Sequence, residues 1–277
     1  MLFSQALKGY WLDKQLQLAK GTVHNYAYLF KMFQDFINDK EVEYINANDI
    51  KGFLLHLSTE RSNSKQSLFN KYQTLSSFFT WFSAEFNLAN PMKKVTKPKV
   101  TRKPVKPFTK IELKKLLEAK QSVRLKTVQL LLLDTGLRVS ELCHLKVEDY
   151  DQNNGRLYIK SGKGNKDRIV YLGKRTQKLL WKLTQDKHSG WLFGNKKAPD
   201  RNNVLKAIKQ LSKPLNITAY PHKYRHTFAI EFLRNGGNIK QLQEILGHSD
   251  LKTVELYLEL ADIDLEQSRS YSPVDNL

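Results

Sequence analysis

One cysteine, Cys143, is all this 277-residue sequence contains, so neither an internal disulfide nor a cysteine-based zinc site can be built. No apolar run approaches the ~18 residues that cross a bilayer, which excludes a transmembrane helix from the expected elements. The opening "MLFSQALKGYWLDKQ" lacks a charged leader, a long apolar core and a small-residue cleavage site. A cytoplasmic protein is the resulting expectation. Acid is also scarce: 27 Asp and Glu stand against 46 Lys and Arg, a formal charge of +19. Such an excess points to a polyanionic partner, nucleic acid first and an anionic membrane second.

The sequence does hold enough apolar residues (40%, with 11% aromatic) for a real core, and enough length for two domains. Charge divides it. Residues 1–90 carry 9 basic and 8 acidic side chains, whereas residues 91–107, "PMKKVTKPKVTRKPVKP", carry 7 basic and no acidic ones. The four prolines of that segment (Pro91, Pro98, Pro104, Pro107) oppose helix and sheet, so it reads as a solvated linker. Its Lys93, Lys94, Lys97, Lys99, Arg102, Lys103 and Lys106 are candidate phosphate-backbone contacts.

Residues 1–90 read as four helices: an opening one near 4–19, then 22–39 with Thr22 as a plausible cap, then "NANDIKGFLLHLSTE" and "SKQSLFNKYQTLSSFFTWFSAEF". Trp11, Phe33, Phe78, Phe79, Trp81 and Phe82 are expected in the core. From residue 108 to the end, a capping box at Thr109–Glu112 opens a helix, and Gly136 stops an apolar one. The period then falls to two, and "GRLYIKSG", "KGNK" and "DRIVYLG" predict a β-hairpin before helices resume around a "WLFGN" corner. The expected fold is mainly α with a small antiparallel sheet. The expected domains are 1–90 and 108–277, joined by the basic linker 91–107.

Four stretches could carry chemistry. In "YPHKYRHTFAI", His222 and His226 lie four apart on one helical face, as zinc ligands do. Lys223 and Arg225 would repel a cation there, and the glutamate of His-Glu-x-x-His is missing, so no metal is expected. His222-x-x-Arg225 instead offers two phosphate donors on one face, with Pro221 suited to the first turn. In "TGLRVSEL", Arg138 and Glu141 form either a surface ion pair or, with Leu137, Val139 and Leu142 around them, a rigid and partly buried one. Lys163 sits in the hairpin turn "SGKGNKDR", which lacks the spacing of a P-loop. It can act as a proton donor as well as a turn residue. "LGHSDLKTVELY" supplies His248 and Tyr257. No nucleotide or other cofactor is implied.

In this order, "TGLRVSEL", "GKGNKDR", "PHKYRHTFA" and "LGHSDLKTVELY" resemble the tyrosine recombinases, the phage integrases and Xer-type enzymes, over residues 108–265. The helical first domain looks like that family's core-binding, SAM-like domain, and the resemblance implies a two-domain DNA clamp. It also implies cutting and rejoining of duplex DNA through a 3′-phosphotyrosyl intermediate, without metal or ATP. Tyr257 would be the nucleophile. Arg138, Arg225 and His248 would hold the scissile phosphate, Lys163 would protonate the leaving 5′ oxygen, and His222 would be the general base. Glu141 and His226 would support them. The partner would be a double-stranded recombination site, bound at the nucleoid by a homotetramer across two sites (a monomer or weak oligomer when free), with no membrane partner and an accessory protein possible. The acidic residues that follow Tyr257 would pack on a neighbouring subunit. No further domain is expected before the four helices, which favours a simple two-domain enzyme. The role would be integration or excision of a mobile element; the alternatives are Xer-type chromosome-dimer resolution and a non-catalytic DNA-binding protein on the same scaffold.

Overall fold

In a computed structural model, residues 1–100, 106–160, 167–247 and 257–258 are described. The chain divides into two units, Met1–Lys103 and Pro104–Leu277.

In the first unit, α1 (Phe3–Lys14), α2 (Lys20–Phe36), α3 (Ala47–Thr59) and α4 (Lys65–Glu85) surround an aromatic core. Asn46 caps α3 by accepting from the Asn48 and Asp49 amides, and Ser64 caps α4 by accepting from Ser67. Helix α2 begins before the expected Thr22 cap. The Thr22 amide already bonds the Ala19 carbonyl at 2.8 Å, which spends Thr22 inside the first turn. Phe3, Tyr10, Phe30, Phe33, Phe78 and Phe79 are buried, mostly meeting edge to face at 4.9–6.3 Å between ring centres. Trp11 and Trp81, expected inside, are only partly buried and flank Tyr10 at the margin of the core.

The basic segment does not start as a solvated linker. Asn90 caps a single 3-10 turn, Pro91–Lys94, and Pro91 is tolerated there because the first turn needs no amide from it. Met92 and Val95 enter the core, while Lys93, Lys94, Lys97 and Lys99 remain exposed. Apolar residues spaced three apart between the lysines turned inward, a pattern hidden by the charge. Arg102 and Lys103 lie outside the described residues; Lys106 is exposed in the second unit.

In the second unit, α5 (Lys110–Glu118) opens on the reciprocal Thr109–Glu112 capping bonds of 3.1 and 2.8 Å. Helix α6 (Val123–Thr135) is buried almost all round and ends at Gly136, whose φ of +60° is the left-handed conformation that favours glycine. The short α7 (Val139–Cys143) follows. Three antiparallel strands then pair in the order β1 (Tyr150–Asp151), β2 (Arg156–Ile159), β3 (Arg168–Tyr171). The two-residue β1 adds a strand to the expected hairpin. Helices α8 (Lys174–Thr184), α9 (Arg201–Ser212), α10 (Pro221–Arg234) and α11 (Ile239–Leu246) complete the described part. At the "WLFGN" corner the Leu192 amide donates to the Leu145 carbonyl, and Leu192 and Phe193 plug the core.

Helix α10 packs against α6, and the contact is partly polar. Tyr224, fully buried, donates to Gln129 Oε1 at 2.8 Å, and Gln129 in turn donates to Gln121, so the buried polar groups are satisfied. Burial pushes the Tyr224 phenol well above its ordinary pKa. Thr227 accepts from the Phe108 amide, and buried Lys223 lies 4.2 Å over the Phe108 ring while reaching Glu112. One side of α10 thus anchors the start of the unit, which frees the other for chemistry. Among the described residues, no helix is long and apolar enough to cross a membrane.

Candidate active site

Two glycine stops set the frame. Gly136 ends α6 and Gly247 ends α11, both with φ near +60°. A Cβ on Gly136 would lie 2.5 Å from Phe228 and 2.7 Å from Leu246, and one on Gly247 would lie 3.1 Å from Arg168 Nη1. The close approach brings the last carbonyls of both helices, left without intrahelical partners, to the same place.

Arg225 uses those carbonyls. It projects from the second turn of α10 and donates to the Gly136 carbonyl at 2.5 Å and to the Leu246 carbonyl at 2.8 Å. It is 3% exposed, and burial first, then the charge of Arg138, lowers its pKa to about 10. The guanidinium therefore stays charged at neutral pH.

Arg138 is the N-cap of α7. Its amide bonds Glu141 Oε2 at 2.8 Å and its Nη1 bonds Glu141 Oε1 at 3.0 Å. The Arg138 side chain remains 30% exposed, whereas that of Glu141 is 9% exposed. Burial would raise the Glu141 pKa, but Arg168, then the Arg138 amide and charge, outweigh it and hold the carboxyl below its ordinary value. Arg168, unnoticed among the candidates from sequence, supplies two of the bonds on this carboxylate, at 3.1 and 2.8 Å. A signal was present within "GKGNKDR". Arg168 shares a strand face with buried Val170, but the apolar run Ile169–Val170–Tyr171 disguises which face points inward.

Tyr257 is buried to 2% exposure among Ala229, Ile230, Leu233, Leu242 and Leu246. Its hydroxyl lies 2.8 Å from His226 Nδ1. Burial raises its pKa, with Arg225 and Arg138 pulling the other way. His226 is pushed down to about 4, chiefly by burial and then by His222 and Arg225, so it is neutral at pH 7. With Tyr257 protonated and His226 neutral, the phenol donates to Nδ1 when Nε2 carries the ring proton. His222 lies one turn earlier, with ring centres 6.3 Å apart, on the solvent side of the first turn. Its pKa is lowered first by the protein packed around it, then by Arg225 and Arg138.

Arg138, Glu141, His222, Arg225, His226 and Tyr257 are thus brought to one region of the second unit; Lys163 and His248 lie outside the described residues. Among the described residues, three guanidinium groups against one carboxylate make the region positive. Preset donors of this kind suit an anion whose charge grows during reaction. Among the described residues no three His, Cys, Asp or Glu side chains group as metal ligands do.

Residues 106–263 match the phage integrase family, and residues 13–85 match the phage integrase N-terminal SAM-like domain. The tyrosine recombinase XerA of Pyrococcus horikoshii is 31% identical over 261 residues, covering 90% of this chain and 87% of that protein. In fold, the chain resembles the Tn1549 transposon integrase in complex with a circular-intermediate DNA (TM-score 0.81, 19% identity, 100% of both chains). It likewise resembles a lambda integrase tetramer bound to a Holliday junction (TM-score 0.76, 19% identity, 90% of this chain and 78% of that one). With more than half of its length matched by the family and nearly all of it by a 31%-identical relative, the chain belongs to the phage integrase family of tyrosine recombinases.

Proposed function

We propose that this site-specific DNA recombinase cuts and rejoins duplex DNA with Tyr257 as its nucleophile, for integration or excision of a mobile element. The observation that carries the reading is the meeting of Arg138, Arg225 and Tyr257, residues far apart in sequence, around a positive site. Tyr257 Oη attacks the scissile phosphorus, forming a 3′-phosphotyrosyl bond as the bond to the 5′ oxygen breaks. Arg138 and Arg225 bind the non-bridging oxygens and stabilise the charge that builds on them. His248 adds a third phosphate contact, Lys163 gives its proton to the departing 5′ oxygen, and His222 is the general base. One phosphodiester replaces another, so the energy of the cut bond is kept for rejoining and no ATP is needed.

Burial keeps the Tyr257 phenol protonated, and its hydroxyl rests against His226 Nδ1. Entry of a phosphate between the arginines gives it a reason to leave that contact. The partner is a duplex recombination site, and strand exchange takes place in a homotetramer on two sites, the assembly named for the lambda integrase of similar fold. The exposed lysines of the segment 91–107 contact the phosphate backbone. A Xer-type role is the second reading, and the extent of the likeness to XerA favours it.

Covalent capture tests the proposal. The protein is incubated with nicked duplex fragments of its source DNA in EDTA, denatured in SDS and examined for attached DNA. An adduct is expected with the wild type and none with Tyr257→Phe. Fragments ending at the borders of a mobile element support the first role, and one recurring chromosomal site supports the second. Binding without an adduct would return the protein to the non-catalytic reading.

A further inference from the structure

We propose that Arg168 is a positioning residue for strand cleavage: it fixes Glu141, and through Glu141 the phosphate-binding Arg138, without itself touching DNA. The inference rests on the recombinase reading above and deepens it. Both terminal nitrogens of Arg168 donate to the Glu141 carboxylate, Nη2 to Oε2 at 2.8 Å and Nη1 to Oε1 at 3.1 Å. Such a two-pronged pair fixes orientation as well as distance. Its Nε donates to the Ile245 carbonyl at 2.6 Å, so the guanidinium is pinned in its plane from a third side. Arg168 is 7% exposed, against 30% for Arg138, which places the first under the site and the second at its surface.

The connections define what Arg168 couples. Glu141 also takes the Arg138 amide and Arg138 Nη1, so one carboxylate serves both arginines. Ile245 precedes Leu246, whose carbonyl holds Arg225, and the absent side chain of Gly247 leaves room for Arg168 Nη1. Arg168 therefore ties the first residue of β3 to the turn that aims Arg138 and to the end of α11 that seats Arg225. A lysine could make one of these bonds at a time but could not present the fork. Stability alone is a weak reason for the arrangement, because burying an ion pair costs about as much in desolvation as its attraction returns. Holding a charged donor in one orientation is a use that does not depend on that balance.

The test uses the full chain with Arg168→Lys, Arg168→Met, Glu141→Gln and the Arg168→Met/Glu141→Gln pair. DNA affinity and the single-turnover rate of Tyr257 adduct formation are measured for each from pH 5 to 9. Arg168→Met is expected to bind DNA within about threefold of wild type and to cleave roughly 100-fold more slowly, as small misplacements of reacting groups do. Arg168→Lys should recover part of that rate. Adding Glu141→Gln to Arg168→Met should cost little more, because the two residues act as one unit. Among the described residues, the charged groups facing Glu141 are Arg138 from its own turn, Arg168 from β3, and Arg225 from α10 with Tyr257 beyond it, while α11 contributes the Ile245 carbonyl to Arg168. Removing Arg168 withdraws the nearest cation, so the pH below which cleavage fails should rise.

Losses that multiply in the double variant, cleavage unchanged in Arg168→Met, or DNA binding that falls in step with cleavage would each overturn the inference. If Arg168→Met does not fold, Arg168→Lys with and without Glu141→Gln gives the same comparison. A wild type that forms no Tyr257-dependent adduct overturns the recombinase reading and this inference together, whereas normal adducts with unaffected Arg168 variants overturn this inference alone.

Discussion

His226 shows how much burial changes a side chain. An imidazole in water has a pKa near ~6.5, but this one is held at about 4. Its folded-state value lies below the unfolded one, so its contribution to stability is complete above pH ~6.5 and is lost as pH falls towards about 4. Between pH 7 and 4.5 the wild type should lose roughly 5 °C more in melting temperature than His226→Gln, which can still bond Tyr257 but does not titrate. Equal losses would mean that His226 titrates near its ordinary value. His222, whose charge opposes that of His226, is present in both proteins, so the difference reports His226 together with its coupling to His222.

The elements show what could be read from the sequence and what could not. The Thr109–Glu112 capping box, the Gly136 stop and the Pro221 start were legible because each depends on a few neighbouring residues. The strand β1 escaped because two residues carry no period. Inward-facing Arg168 was hidden by the apolar run after it, and Met92 and Val95 by the lysines around them. Buried Lys223 was read only as a repulsive cation, since its seat over Phe108 brings together residues more than a hundred positions apart. Glycines give a measurable contrast at this scale. Gly136→Ala should cost about 2–4 kcal/mol in chemical denaturation, from the left-handed backbone and the overlap with Phe228 and Leu246. Gly21→Ala, in the first turn of α2 with nothing within 4 Å, should stabilise by about 0.4–1 kcal/mol. A Gly136→Ala protein as stable as wild type would refute the crowding.

At the scale of the molecule, charge governs the encounter with DNA. With a formal charge of +19, affinity should fall steeply with salt, the logarithmic slope being about −0.9 for each phosphate neutralised. Replacing Lys93, Lys94, Lys99 and Lys106 with glutamine should make that slope shallower by up to about 3.6. These side chains are exposed, so the melting temperature should hardly move. An unchanged slope would show that these four lysines do not contact the backbone. Specificity for the target site should survive the replacements, because phosphate contacts carry no sequence information.

Two of the hydrogen bonds on Arg225 end on main-chain oxygens, those of Gly136 and Leu246. Every amino acid has that oxygen, so no change of side chain at either position deletes the acceptor; it can only displace it. Arg138 leans instead on a carboxylate that one nucleotide change could erase. Natural variation should therefore reach the two arginines by different routes, through replacement of a neighbour for Arg138 and through rerouting of the chain for Arg225.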